Sequence, residues 1–358
     1  MTAETSPPRE LPDRPNIAAQ VIARSGEGAD ELLTFALFYP RIMLPEFNTH
    51  RSFSRSTASN RAVPADVLAK DVRDNPAVPV FFGANRPGMA ATDELEGEAL
   101  EKAKQWWNGC VNVALELHRH GIATGLHKQL VNRVLEPFQH AQTITTMSMG
   151  ALTDFLLLRL DRAAQPEMQA LAFAMKNAVE LKEMQPVLPE TYKSLHVPFS
   201  MSSVELSLTR GLLEENSDLK GHSVAYKRGA LELSWLQLIA LFRSAGRCAR
   251  ATYGAHLSRR EVHVDVKTAL SCWLQWHASP FEHQAIPATG GMSMAGWARS
   301  NLPSSWIQFR KVLETEEMDK LRDKFLNEVL PAISPKMTAE PKAEESDAPT
   351  GESGPSLS

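Results

Sequence analysis

Apolar residues dominate Leu32–Leu44 (LLTFALFYPRIML), where no alternate position is consistently polar. A short run of this kind reads as a buried strand or a buried helix. Most of the remaining pattern is helical. Glu96–His120 sets Leu100, Ala103, Trp107, Cys110, Ala114 and Leu117 at helical spacing, with Gly121 expected just beyond the helix end. Leu126–Glu136 predicts a short amphipathic helix stopped by Pro137. Leu152–Leu160 predicts a buried segment leading into a helix over Pro166–Met184, with Met168, Leu171, Met175 and Val179 on one face. Leu231–Arg250 and Val266–Trp276 read as helices, the second with Val266, Ala269, Leu270 and Trp273 on one side; Met318, Leu321, Phe325 and Val329 mark a last one. Gln142–Met147 and Gln284–Pro287 are further strand candidates, while Pro186–Met201 reads as connection and Ser203–Tyr226 as polar and irregular.

The expected fold class is α+β: helix-rich, with a mixed or antiparallel sheet and flanking helices. A flexible, Pro-rich arm (1–16) precedes a first part (17–195), a connection (196–240) and a second part (241–334). A disordered Pro/Glu/Ser/Ala tail (335–358) follows, too poor in large apolar residues to offset its ordering entropy.

The 358 residues are enough for two average domains or one large one. A net charge of −4 offers no global basic field, so nucleic acid is not an expected partner and any polyanion site must be local. Cys110, Cys248 and Cys272 lack metal-ligand spacing and cannot all pair within one chain, which suggests a reducing, cytoplasmic setting. No apolar run reaches the length of a membrane span, and the N-terminal residues lack a signal peptide's apolar stretch.

Four segments carry candidate chemistry. Pro45–Arg61 (PEFNTHRSFSRSTASNR) packs His50, Arg51, Arg55, Arg61 and six Ser/Thr hydroxyls behind the apolar run. Arginine forks and hydroxyl donors suit a phosphate or flavin nucleotide, or else serve a loop that contacts its own carbonyls. His277–His283 (HASPFEH) is a polar site at a helix end, or an ordinary helix terminus. Its spacing is not that of a zinc helix and no second Cys/His cluster completes a set, so no metal is expected. Lys128–Pro137 places Asn132 and Arg133 on an otherwise apolar helix, where a solvated edge is the plainer reading. Arg159 ends the apolar run Phe155–Leu158, and a charge there needs a partner, either Asp154, Asp161 or Glu167, or a ligand's ionised group.

Together these segments resemble the flavin-dependent thymidylate synthase family. Its signature R-H-R-x-x-S-x-N-x-x-S-x-R is similar to Thr49–Arg61: His50, Arg51, Ser54, Ser59 and Arg61 match, while Thr49 and Ser56 stand where Arg and Asn are usual. The family's R-E-Q-A-R-x-V-L-P resembles Lys128–Glu136, with Asn132 at the usual Arg and Arg133 beside it. F-L-x-L-R…A-Q-x-E matches at Arg159, Gln165 and Glu167, and H-x-S-P-F-E-H is unbroken at His277–His283. The order is unusual, because in the family the His-Ser-Pro-Phe-Glu-His element precedes the His-Arg signature. Arg247–Arg250 looks like the family's N-terminal part, and Trp306–Arg310 falls where a degenerate signature would sit. The chain thus looks permuted, or built from two diverged partial copies, similar to versions carried by bacterial viruses.

The resemblance implies an enzyme, a methyltransferase, that binds FAD, NADPH and methylenetetrahydrofolate. It would pass a one-carbon unit to C5 of dUMP, with hydride from reduced flavin. It assigns catalysis to Arg159, His277 and Ser59, and cofactor binding to His50, Arg51, Ser279, Glu282, Ser148 and Asp154. Substrate binding falls to Glu46, Ser59, Arg61, Asn132, Arg133 and Arg159. Ser148, Gly150 and Asp154 stand where the family has Asn, Arg and Asn for flavin contacts. Family members build each site from several subunits, so a homo-oligomer (dimer or tetramer) is expected. Two alternatives are a pyrimidine nucleotide hydroxymethylase and a non-catalytic nucleotide- or nucleic-acid-binding homologue.

Overall fold

A strand that is buried on both faces organises this chain. The computed structural model describes residues 16–87, 91–180, 195–251, 261–288 and 297–334. The arm at 1–15, the tail at 335–358 and most of the Pro186–Met201 connection lie outside the described residues.

The first part opens with β1 (Ala18–Ser25) and β2 (Leu32–Pro40), followed by α1 (Leu44–Phe47) and β3 (Ser54–Thr57). Next come α2 (Ala65–Asp74), α3 (Gly97–Ala123), α4 (Lys128–Val131) and β4 (His140–Ser148), then α5 (Met149–Arg159) and α6 (Pro166–Glu180). The connection and second part together, called the second part below, hold α7 (Ser203–Glu214), the hairpin β5 (Val224–Arg228) and β6 (Leu231–Ser234), α8 (Trp235–Ala251) and α9 (Val262–Leu274). It ends with β7 (Ala285–Pro287), β8 (Trp306–Gln308), α10 (Phe309–Leu313), α11 (Glu316–Lys324) and α12 (Leu330–Ile333). The sheets are antiparallel: a four-stranded one in the order β1-β2-β4-β3, and the pairs β5-β6 and β7-β8. The α+β, helix-rich expectation is met.

Side chains alternate across a strand, so β2 presents two faces. Leu33, Phe35, Leu37 and Tyr39 join a core with Phe155 of α5 and Met168, Leu171 and Met175 of α6. On the opposite face Leu32 packs with Ala285, Leu302 and Trp306 of the second part. Beside it Ile22 and Ile144 meet Cys248 and Ala251 of α8. The continuous apolar run is therefore a central strand covered on both sides. A separate core in the second part gathers α8, α9 and the C-terminal helices around Phe242, Phe281, Phe309 and Phe325.

Several elements differ from the sequence reading, each for a physical reason. Ser203–Tyr226 is not irregular: Ser202 and Glu205 form a reciprocal capping box that starts α7, and Val224–Tyr226 enters β5. The presumed connection 196–240 thus carries a helix and a hairpin. Leu231–Ser234 is strand because Leu231 and Leu233 are buried while Glu232 faces solvent. Gly121 does not end α3. It lies inside the helix, where a Cβ would come within 3.0 Å of Val131, and Gly125, at φ +83°, supplies the left-handed residue beyond the end. In α5 only Leu152 and Phe155 are buried, since one face meets the core; Leu157 and Leu158 are 76% and 56% exposed. β1, β3 and β8 escaped the sequence reading.

α8 and α9 pack backbone to backbone. A Cβ at Gly246 would sit 1.9 Å from the carbonyl oxygen of Asp265, whereas one at Gly109 on α3 would meet nothing within 4 Å. Gly246→Ala should therefore destabilise the protein by about 2 kcal/mol or more. Gly109→Ala should stabilise it by roughly 0.5–1 kcal/mol. Denaturant titration of both variants checks this; equal midpoints for the two would refute the close approach.

Candidate active site

Three short elements converge at the end of the central sheet. α1 and the turn after it carry Glu46 and His50, β3 carries Arg55 and Ser56, and the C-terminus of α5 carries Arg159. The Arg159 guanidinium is held from two sides: it forms an ion pair with Glu46, and its Nε–H donates to His50 Nε2 at 3.0 Å. The sequence-derived partners Asp154, Asp161 and Glu167 are not the ones used. Glu46 is fixed by the helical turn Leu44–Phe47, whose Phe47 is buried in the core.

His50 sits in an aromatic box. Its ring stacks on Phe53 at 5.5 Å between centroids and meets Phe155 edge-on at 4.8 Å. Burial, then the nearby charges of Arg159 and Arg55, lower its pKa to about 4. The imidazole is neutral near pH 7, which suits Nε2 as the acceptor of the Arg159 hydrogen bond. Arg55 in turn donates to the His50 carbonyl.

The motif at His277–His283 meets this region within one chain. Ser279 Oγ lies 3.4 Å from Ser56 Oγ. Glu282 acts electrostatically on Arg55 and forms an ion pair with Arg310. Gln308 Nε2 donates to Ser54 Oγ at 3.0 Å and to the Glu282 carbonyl at 3.0 Å, and Asn301 Nδ2 reaches Ser54 Oγ at 2.9 Å. Arg310, Gln308 and Asn301 were missed as site residues. The one signal was the position of Trp306–Arg310 relative to the motif, because partners so far apart in sequence leave no periodic trace.

Beneath this surface runs a buried polar chain. Thr34 Oγ1 lies 2.6 Å from Thr146 Oγ1 across β2 and β4. Thr34 Oγ1 also lies 2.7 Å from His196 Nε2, and Thr146 Oγ1 lies 3.0 Å from His283 Nδ1. Both histidines are 0% exposed, and burial lowers each pKa to about 3. His283, the last residue of the motif, thus bolts it to the sheet.

The remaining expected residues fall into three groups. Arg51, Arg61, Arg133, Asp154 and His277 are exposed, and no ion pair engages Arg51, Arg61 or Arg133 among the described residues. Ser59 is half-buried in the loop between β3 and α2. Asn132 and Ser148 are framework residues. Asn132 is 0% exposed; its amide donates to the carbonyls of Asn60 (2.9 Å) and Val63 (3.2 Å), and its Oδ1 lies 3.1 Å from His118 Nε2. Buried and fully engaged in this way, Asn132 is not free for the expected phosphate contact. Ser148 caps α5, accepting from Ala151 N–H. Among the described residues no group of three or more His, Cys, Asp or Glu side chains is placed to hold a metal, and no helix is long and apolar enough to cross a membrane.

Comparison with known proteins gives one family match: residues 31–189 match the family described as thymidylate synthase complementing protein. Among solved structures, the chain is similar to the UMP/dUMP methylase PolB from Streptomyces cacaoi bound with 5-Br UMP. That similarity has 16% identity over 46% of this chain and 89% of that chain, with a TM-score of 0.38. The same methylase bound with 5-Br dUMP gives 18%, 46%, 90% and 0.37. Thymidylate synthase X from Helicobacter pylori, with FAD and dUMP, gives 20% identity over 42% of this chain and 68% of that chain, with a TM-score of 0.29. No curated protein matches the chain. The family match ends before His277–His283, so that motif's place in the site rests on the contacts above.

Lowered histidine pKa values set a pH dependence. His196 and His283 stay neutral in the folded state down to about pH 3, whereas an unfolded histidine takes up its proton near pH 6.5. Below about pH 6.5 the unfolded chain therefore binds more protons, and stability falls with pH by about 1.4 kcal/mol per unit for each histidine. Chemical denaturation at pH 7.5, 6 and 5 should show this decline; a flat profile over that window would refute the neutral, buried pair.

Proposed function

We propose that this chain, which matches the thymidylate synthase complementing family over residues 31–189, is a flavin-dependent enzyme that modifies C5 of dUMP. Its finer activity is thymidylate synthesis with methylenetetrahydrofolate as one-carbon donor and NADPH as reductant. The observation that supports this best is the meeting of the two motifs: Ser279 against Ser56, and Glu282 in the field of Arg55.

The residues present fit an anionic, planar ligand pair. Exposed Arg51, Arg61 and Arg133 offer guanidinium forks for nucleotide phosphates. Arg159, oriented by Glu46 and neutral His50, offers a positive charge aimed at a pyrimidine whose ring gains negative charge during substitution at C5. FAD, when bound, supplies the hydride that completes the methyl group. The chain's own contribution is position and charge: His50 and Arg51 against the flavin, Ser279 and Glu282 at its other side, Glu46, Ser59 and Arg61 toward dUMP, and His277 beside the one-carbon donor. The flavin's diphosphate end is held differently from the family pattern, since Gly150 brings no side chain and Asp154 brings an exposed carboxylate. Cys248 offers no nucleophile, because it is fully buried and burial raises its pKa. A homo-oligomer is part of this reading, supported by exposed Leu157 and Leu158 next to Arg159.

The purified protein should be yellow, with a flavin absorbance that bleaches on adding NADPH, and should convert dUMP to dTMP by mass spectrometry. A colourless protein without dUMP turnover overturns the proposal, and a hydroxymethyl product redirects it. Arg159→Ala should lower turnover by roughly hundredfold or more with an unchanged circular dichroism spectrum. His277→Ala should spare dUMP binding and slow one-carbon transfer. Wild-type rates in either variant remove that residue from the site.

A further inference from the structure

Helix α9 ends in an unusual way. Trp276 N–H donates to the Trp273 carbonyl at 3.0 Å and His277 N–H to the Cys272 carbonyl at 2.8 Å. These bonds place Trp276 at the position after the helix end that needs a left-handed backbone, and its φ is +52°. Glycine occupies that position without cost, whereas a large side chain there is strained. In this same chain the end of helix α3 and the turn of the β5-β6 hairpin place Gly125 and Gly229 at positive φ. Strain of this kind is tolerated where packing repays it, but Trp276 is 62% exposed and joins none of the hydrophobic cores. A strained, solvent-facing indole thus has no structural return among the described residues.

Its place in the fold suggests one. Trp276 precedes His277 directly, and three residues on Ser279 touches Ser56. Three residues of chain reach at most about 11 Å, so the Trp276 backbone lies at the edge of the candidate active site. Among the described residues, Phe53, Phe155 and Phe281 are buried in the cores and present no ring to that edge.

We infer that Trp276 is a stacking plate for a planar heteroaromatic cosubstrate at the mouth of the site, the pterin ring of the folate or the nicotinamide ring. The choice of cosubstrates rests on the function proposed above; the stacking role rests on the exposed indole and its backbone. Stacking of an aromatic ring on such a side chain is strong enough to change affinity about tenfold or more.

The test uses the full chain and three variants: Trp276→Gly, which removes both ring and strain; Trp276→Asn, which tolerates the left-handed backbone without a ring; and Trp276→Phe, which keeps a ring. Calorimetric titration with methylenetetrahydrofolate and with NADP+ measures binding directly, independent of turnover. Trp276→Gly should melt at the same or a higher temperature than the parent and keep its dUMP affinity. It should lose about tenfold or more in affinity for one of the two planar ligands, and whichever ligand weakens identifies the ring. Trp276→Asn should lose as much, and Trp276→Phe should recover most of it. Unchanged affinity for both ligands in the Gly and Asn variants overturns the inference, as does a parent protein that binds neither. So does a change of oligomeric state, by light scattering, with ligand affinities intact. Absence of flavin and of dUMP turnover in the parent counts against the proposed function alone; ring-dependent binding of either ligand would still support the stacking role.

Discussion

The structure depends on one central strand that must be covered on both faces. β2 supplies Leu33, Phe35, Leu37 and Tyr39 to one core and Leu32 to another, so neither part of the chain completes its burial alone. That requirement draws the second part onto the sheet, although it lies more than two hundred residues downstream of β2 at its Ser279 contact. The apolar contacts give the association its free energy, and the His196–Thr34–Thr146–His283 chain fixes its register. A buried polar group without a partner costs a few kcal/mol, so a shifted docking that broke these bonds is disfavoured.

The same docking makes the site. Serines of β3 alternate with Arg55, so Ser54 and Ser56 face the second part while Arg55 reaches back to the His50 carbonyl. Glu282 is drawn into the arginine cluster and is itself paired with Arg310. On the far side Arg159 is oriented by a carboxylate and a neutral imidazole, which keeps one full positive charge without a competing cation on His50. Three exposed arginines at positions 51, 61 and 133 stand without ion-pair partners among the described residues, as the proposed anionic ligand requires.

How much of this was legible differs by element. Helices with a long apolar stripe, such as α3 and α6, and the strands within Leu32–Leu44 and Gln142–Met147 were readable from local periodicity. β3 was hidden because its polar face is buried by hydrogen bonds from the second part rather than by apolar contact. α7 was legible in its capping box and was overlooked for its thin apolar stripe. In the site, His50 and Arg159 were named from sequence, but their bond to each other was not. Asn132 was misjudged because only tertiary structure places the carbonyls of Asn60 and Val63 around it.

By itself the sequence determined the fold class, the arginine-rich segment behind a buried strand and the family resemblance, since all of these rest on residue type and short-range spacing. Tertiary structure alone decided which charges pair, which polar groups are framework and that one chain brings both motifs together. Those outcomes depend on contacts between residues hundreds of positions apart, and such contacts are selected by the shape and burial of the assembled core.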